Sequence, residues 1–374
     1  MNSGNSPRYL SDIVKTDLAR KMVFLGGPRQ VGKTSLGKQL VADPRAYLNW
    51  DIPSHREQIL HRRLPATDAW LFDEIHKYKQ WRNYLKGLFD EFGLSKPILV
   101  TGSARLDYYR YGGDSLQGRY HYLRLHPLSV AELRITTQVD FCQLLTLGGF
   151  PEPFFAGEAR FARRWSRDYR ERLVREEVPA MERVEDLGKL ELLCFRLPDL
   201  VGSPLSINSL REDLQVAHKT GARWFEVLER IYALFRISPF GAPKIRAVKK
   251  EQKHYHFDWS IVPNEGARFE NFVACHLLKW VQFQQDAEGL DVELRYFRDI
   301  DGREVDFVIT QNKKPVSFVE CKLTPGPLGN GLKYLKSRFP EVDSWQVFAT
   351  GNEDSVSYEG VRQAHALALL KELV

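Results

Sequence analysis

Gly27-Pro28-Arg29-Gln30-Val31-Gly32-Lys33-Thr34 fits the pattern G-x-x-x-x-G-K-T, and its flanks give the pattern a structural meaning. The apolar stretch Met22-Val23-Phe24-Leu25 reads as a short buried strand, and Ser35 to Val41 reads as a helix. A strand, a glycine-rich turn and a helix start form an anion cradle, because backbone N–H groups and the positive helix end converge on phosphate. The expected ligand is ATP, wrapped by Gly27, Pro28, Arg29, Gln30, Val31, Gly32, Lys33, Thr34 and Ser35. Lys33 would reach the β- and γ-phosphates, and the Thr34 hydroxyl would ligand Mg2+.

Such a cradle needs an acid to hold the metal. Ala69-Trp70-Leu71-Phe72 is an apolar strand that ends in Asp73-Glu74. Asp73 is expected to hold Mg2+ through its water shell, and Glu74 to orient and deprotonate the attacking water. A third strand, Pro97 to Thr101, leads into Gly102-Ser103. Ser103, with Thr101 as the alternative, is placed to hydrogen-bond the γ-phosphate or the water. Arg119 sits on a glycine turn at the start of a fourth strand. Its fixed charge and fork suit completion of a nucleotide site, in cis or from a neighbouring subunit, which leaves a homo-oligomer open. A surface arginine fits the spacing equally well.

Together with Phe72-Asp73-Glu74-Ile75-His76-Lys77, Thr101-Gly102-Ser103, Leu116-Gln117-Gly118-Arg119, Leu125-His126-Pro127-Leu128-Ser129 and Gly148-Gly149-Phe150-Pro151-Glu152-Pro153, the nucleotide loop resembles the AAA-type P-loop ATPases that carry a C-terminal DUF4143 domain. The resemblance runs over nearly the whole chain. It implies an AAA-like ATPase core, a winged helix and a terminal module of restriction-endonuclease-like fold.

Composition sets wider bounds. A chain of 374 residues with 43% hydrophobic and 27% charged residues is ordinarily globular, and its length suggests two or three domains. No apolar run approaches the ~18 residues of a membrane span, and the polar stretch Met1 to Asp12 lacks a signal-peptide core. The four cysteines form no C-x-x-C pair, which points to the reducing cytoplasm. The net charge of +6 is compatible with a polyanionic partner.

Phe141 to Leu197 reads as helical. Arg160, Arg163, Arg164, Arg167 and Arg170 recur at three- and four-residue spacing, but interleaved acids make that face more a solvated surface than a phosphate track. Ile207 to Leu214, the turn Gln215-Val216-Ala217 and a helix from His218 to Phe235 have helix-turn-helix spacing. The basic segment Lys244 to Lys250 follows where a wing belongs, ending in the strand-like Tyr255 to Asp258. Lys219, Arg223 and Arg230 on the second helix, with Lys249, Lys250 and Lys253 on the wing, are the expected DNA contacts. Protein docking is the alternative use of such a module.

The terminal third carries a helix from Arg268, then strands Val292–Phe297, Glu304–Ile309 and Pro315–Lys322, the first two joined by the hairpin signal Asp301-Gly302. Strand period puts Glu304 with Asp306 on one face and Glu320 with Lys322 on one face. With those faces matched, Asp306 and Glu320 converge as oxygen ligands for Mg2+ or Mn2+, with Glu270 completing the acidic set. Lys322 would polarise the water and neutralise charge on the scissile phosphate. This resembles the PD-(D/E)xK nuclease core, although Val305 stands where a proline is often found. Cleavage is a separate claim from fold.

The expected architecture is α/β: a P-loop AAA-like ATPase core over 1–135, a helical lid or linker over 136–198, a winged-helix middle domain over 199–261, and a restriction-endonuclease-like α/β module over 262–374. The expected function is ATP-dependent DNA binding and processing on branched DNA or ends, without a membrane. The alternative is an ATP-dependent signalling switch, with a protein-binding winged helix and an inert nuclease-like domain.

Overall fold

The computed structural model describes residues 8–102, 116–181, 184, 186–241 and 251–374. They divide into two compact units, Met1–Pro127 with Arg230–Tyr232, and Leu128–Glu229 with Ala233–Val374.

The first unit is built on a five-stranded parallel sheet in the order β2-β3-β4-β1-β5. The strands are β1 (Met22–Gly26), β2 (Tyr47–Asn49), β3 (Trp70–Asp73), β4 (Ile98–Thr101) and β5 (Tyr120–Arg124). Every residue of the three central strands β1, β3 and β4 is buried. A parallel sheet covered on both faces hides alternate side chains equally, which is why these strands appear in the sequence as unbroken apolar runs. Register aligns Phe24 with Val100 and Phe72 with Val100, so the strand carrying Thr101 lies between the strands that end in the glycine loop and in Asp73.

Two glycines are required where β5 passes the loop. A Cβ on Gly26 would lie 1.7 Å from the Tyr122 hydroxyl, and one on Gly27, whose φ is +124°, would lie 2.2 Å from the Leu125 carbonyl oxygen. The loop feeds the helix Lys33–Leu40, so that helix opens on the loop itself.

The second unit holds a nine-stranded mixed sheet in the order β13-β14-β12-β11-β10-β9-β7-β8-β6. Its strands are β6 (Pro204–Leu205), β7 (Leu234–Pro239), β8 (Gln252–His256), β9 (Val292–Arg298), β10 (Glu304–Gln311), β11 (Lys314–Lys322), β12 (Asp343–Phe348), β13 (Asp354–Val356) and β14 (Arg362–His365). Helices Ile207–Leu214 and His218–Arg230 stand between β6 and β7. The second of them is shorter than expected: Phe235 belongs to β7, where it opposes Tyr255. The β6-β8-β7 strands and the terminal strands form one continuous sheet, because Ser238 and Pro239 of β7 pair with Arg295 and Tyr296 of β9. No sheet boundary marks residue 262.

The long helix Glu265–Asp286 is capped by the Asn264 side chain accepting from the Ala267 amide. The glycine turn before Pro151 has a packing reason: Gly148 has φ +82°, and a Cβ there would lie 3.0 Å from Asp258 Oδ1. On the other side of the sheet, the helix Asn330–Arg338 packs so closely on β10 that a Cβ on Gly331 would lie 2.0 Å from the Glu304 carbonyl oxygen. Gly331→Ala is therefore expected to lower stability by about 1–3 kcal/mol, the usual cost of overpacking. Gly326→Ala, where a Cβ meets nothing within 4 Å, is the control. Equal thermal melting of the two variants would contradict this packing.

Candidate functional site

Asp73 is the centre of the first site. It ends β3, is 6% exposed, and receives three hydroxyl donors. Thr34 Oγ1 lies 3.1 Å and the Tyr47 hydroxyl 2.9 Å from its Oδ2, while Thr101 Oγ1 lies 2.6 Å from its Oδ1. Asn49 Nδ2 donates to the Tyr47 oxygen at 2.9 Å. Burial pushes the Tyr47 phenol up to about 12, against the lowering by the Asn49 hydrogen bond, so it remains a donor. Thr101 is thus committed to orienting Asp73, and its expected alternative role at the γ-phosphate is replaced by that contact. Ser103 lies outside the described residues.

The Lys33 ammonium is buried and bends back onto its own loop, 2.9 Å from the Gly27 carbonyl and 2.6 Å from the Pro28 carbonyl. These carbonyls supply the negative partner that a phosphate would otherwise be. Thr34 Oγ1 and Asp73 Oδ2, 3.1 Å apart, are a pair of hard oxygens of the kind that would hold Mg2+. Glu74 follows in a left-handed conformation, φ +57°, and its amide bonds the Thr101 carbonyl at 3.0 Å. Its carboxylate is turned toward His76 Nε2 at 3.5 Å and Lys77 Nζ at 3.3 Å. Burial, only partly offset by Lys77, raises its pKa above the ordinary glutamate value of 4.5.

Arg119 sits at the other end of the sheet. Tyr120 pairs with Met22 at the start of β1, so Gly27 lies five residues, about 16 Å, along the strand direction. Its guanidinium pairs with Asp90, Nε to Oδ1 at 2.8 Å. A contact with the nucleotide held on its own loop does not fit this placement.

In the second unit the expected convergence of acids occurs, around an unexpected partner. Glu304 and Asp306 share a face of β10, and a register shift against β9 falls between Val305 and Val308, a device that re-aims side chains. Phe307 opposes Val319 on β11, which sets Asp306 across from Glu320. Lys253 Nζ lies 3.0 Å from Glu270 Oε1, 2.6 Å from Glu304 Oε1 and 3.4 Å from Asp306 Oδ1. Tyr255, two residues along β8 on the same face, donates to Glu270 Oε1 at 2.7 Å, and the Cys321 amide donates to Asp306 Oδ2 at 2.9 Å. Lys322 Nζ bonds Glu320 Oε1 at 2.7 Å, while Glu320 Oε2 is buried without a hydrogen-bond partner. Burial first, and then the charge of Asp306, raise the pKa of both Glu270 and Glu320.

One expectation is corrected here. Lys253 is not a DNA contact: its residue exposure is 0%, and its charge is spent on carboxylates. The expected metal ligands Glu270 and Asp306 are held by that same ammonium, and Glu320 by Lys322. Lys219 and Arg223 are exposed one turn apart on the His218–Arg230 helix. Lys249 and Lys250 lie outside the described residues. Tyr47 was not expected from the sequence, because its strand has only three residues.

Comparison with known proteins places the chain by its domains. Residues 19–134 match the AAA domain family, 138–265 a domain of unknown function, DUF8612, and 265–367 the domain of unknown function DUF4143. The chain therefore has the architecture of an AAA-type ATPase domain at its N-terminal end and a DUF4143 domain at its C-terminal end. It is 23% identical over 321 residues to the uncharacterized protein Rv2008c of Mycobacterium tuberculosis, and equally to Mb2031c of Mycobacterium bovis, covering 79% of this chain and 71% of each relative. A solved structure, the STAND ATPase with a tetratricopeptide repeat sensor from Pyrococcus horikoshii, aligns at 14% identity with a TM-score of 0.22, over 77% of this chain. The alignment spans 49% of that archaeal chain, about half its length. No helix among the described residues is long and apolar enough to cross a membrane.

The Asp73 network has a direct test. Thr101→Val removes a donor from a carboxylate oxygen with no access to water, which costs about 1–3 kcal/mol. Thr101→Ser keeps the donor. Thermal melting without nucleotide should separate the two variants, and equal melting would show that Asp73 does not depend on Thr101.

Proposed function

We propose that the protein is a Mg2+-dependent ATP hydrolase whose nucleotide cycle acts on DNA bound by the second unit. The observation that carries this reading is the 3.1 Å approach of Thr34 Oγ1 to Asp73 Oδ2, beside a Lys33 ammonium resting on loop carbonyls. Lys33 exchanges those carbonyls for the β- and γ-phosphates, and Thr34 with Asp73 holds Mg2+. The bound ion shields phosphate charge; Glu74 takes the proton of the attacking water. Arg119, at the opposite end of the strands from its own nucleotide loop, suits a nucleotide held by a neighbouring copy, for which it would leave Asp90.

For the second unit, the pair Ile207–Leu214 and His218–Arg230 between β6 and the β7–β8 hairpin supports a winged-helix reading. Lys219 and Arg223 then face the phosphates. The burial of Lys253 favours a second reading, because it removes one cation from the wing: an ATP-dependent switch whose winged helix docks a protein. ATP turnover stimulated by duplex DNA supports the first reading; turnover indifferent to DNA supports the second.

Glu74→Gln should keep ATP binding and lose turnover, whereas Lys33→Ala should weaken binding itself. Because burial raises the Glu74 pKa, the acid limb of the rate profile should lie above 4.5. Hydrolysis falls as pH drops through the raised pKa of Glu74 and its carboxylate takes up a proton. A limb at or below 4.5, or normal turnover in Glu74→Gln, rules out Glu74 as the base.

The double variant Lys219→Ala/Arg223→Ala should lower the log–log salt slope of duplex binding by up to about 1.8, at about 0.9 per phosphate contact. An unchanged slope with unchanged affinity would remove this helix from DNA.

A further inference from the structure

We infer that the carboxylate cluster of the terminal module takes its cation from the chain itself: the Lys253 ammonium stands where a divalent ion would otherwise bind, and the module works without a metal.

The stoichiometry supports this. An ammonium has three N–H donors and no acceptor. Lys253 meets three carboxylates, Glu270, Glu304 and Asp306, at 3.0, 2.6 and 3.4 Å. Those are hydrogen-bond separations. Two of these carboxylates are held by further donors. Asp306 Oδ2 accepts the Cys321 amide, and Glu270 Oε1 accepts the Tyr255 hydroxyl as well. Glu270 Oε2 faces Gly202, where a Cβ would sit 3.0 Å away. Burial pulls the Lys253 pKa down, but the three carboxylates outweigh it and the net shift is upward, so the ammonium stays charged.

The cation is also tethered. Lys253 pairs with Pro204 of β6 on one side and Ile237 of β7 on the other, so its backbone is fixed in the middle of three strands. A metal could take its place only by driving out an ammonium that is itself buried. The strand that carries the wing's return is thereby pinned to the acids of β10 and of the Glu265–Asp286 helix.

The test is Mn2+ binding to the full chain carrying Asp73→Asn, so that the nucleotide site adds no ligand. Electron paramagnetic resonance of free Mn2+ and thermal melting are the readouts. With Lys253 present, no site-bound Mn2+ and no melting shift are expected. Lys253→Ala should melt lower and gain one Mn2+ site, recovering roughly 5 °C at a hundredfold excess over its Kd. That gain should disappear with Asp306→Asn added. The inference is overturned if the Lys253-containing protein binds one Mn2+ and loses it with Asp306→Asn. It is equally overturned if Lys253→Ala folds with unchanged melting and binds no Mn2+. If Lys253→Ala does not fold, the Lys253-containing arm decides alone. DNA binding by Lys219 and Arg223 can stand or fall independently of this result.

Discussion

A charge taken out of water must be met by a counter-charge or by donors, and in this protein that constraint shapes the two buried carboxylate clusters. Removing an unmatched ion from solvent costs several kcal/mol, so the surrounding fold has to deliver partners from distant parts of the chain. For Asp73 those partners come from the loop helix, from β2 and from β4. The strand order β2-β3-β4-β1-β5 is what makes the delivery possible. It sets β2 and β4 on either side of β3, so that Tyr47 and Thr101 reach the same carboxylate from opposite flanks.

The second unit obeys the same constraint with a different solution. Glu270 arrives on a helix, Glu304 and Asp306 on β10, and Lys253 on β8 of the hairpin that follows the two short helices. This ion pairing helps explain why the β6-β8-β7 strands are one sheet with the terminal module instead of a separate body. The β7–β9 pairing contributes only two register positions, Ser238 with Arg295 and Pro239 with Tyr296. The lysine adds three charge-assisted contacts across the same seam, each stronger than a neutral hydrogen bond.

What the sequence made legible follows from the range of the forces involved. The strands β1, β3 and β4 could be read because burial on both faces leaves continuous apolar runs. The shared faces of Glu304 with Asp306 and of Glu320 with Lys322 could be read because strand period is a local property. Tyr47 escaped because a three-residue strand carries too little pattern, and its role is set by an acid 26 residues away. Lys253 was misread because it follows a basic segment and shares its composition. Its partners lie 17 to 53 residues further along, and only the register of β8 against β6 and β7 turns it inward. A signal existed in Lys253-x-Tyr255, two polar groups on one strand face, but nothing local distinguishes such a pair facing acids from one facing water.

The two clusters differ in whether the partner can be exchanged. The donors on Asp73 are hydroxyls, and a hydroxyl both donates and accepts. The Thr34 hydroxyl could therefore offer a lone pair to a cation while Asp73 kept the hydrogen bonds of Tyr47 and Thr101. Lys33 rests on backbone carbonyls of its own loop, neutral partners that a phosphate could replace. An ammonium on a central strand has no such alternative: it cannot accept, and its backbone cannot withdraw without breaking two ladders. A site whose partners rotate can cycle with nucleotide, and a site whose cation is tethered holds one geometry. The division of labour in this chain, a changing site on the parallel sheet and a fixed one on the mixed sheet, follows from that difference in donor chemistry.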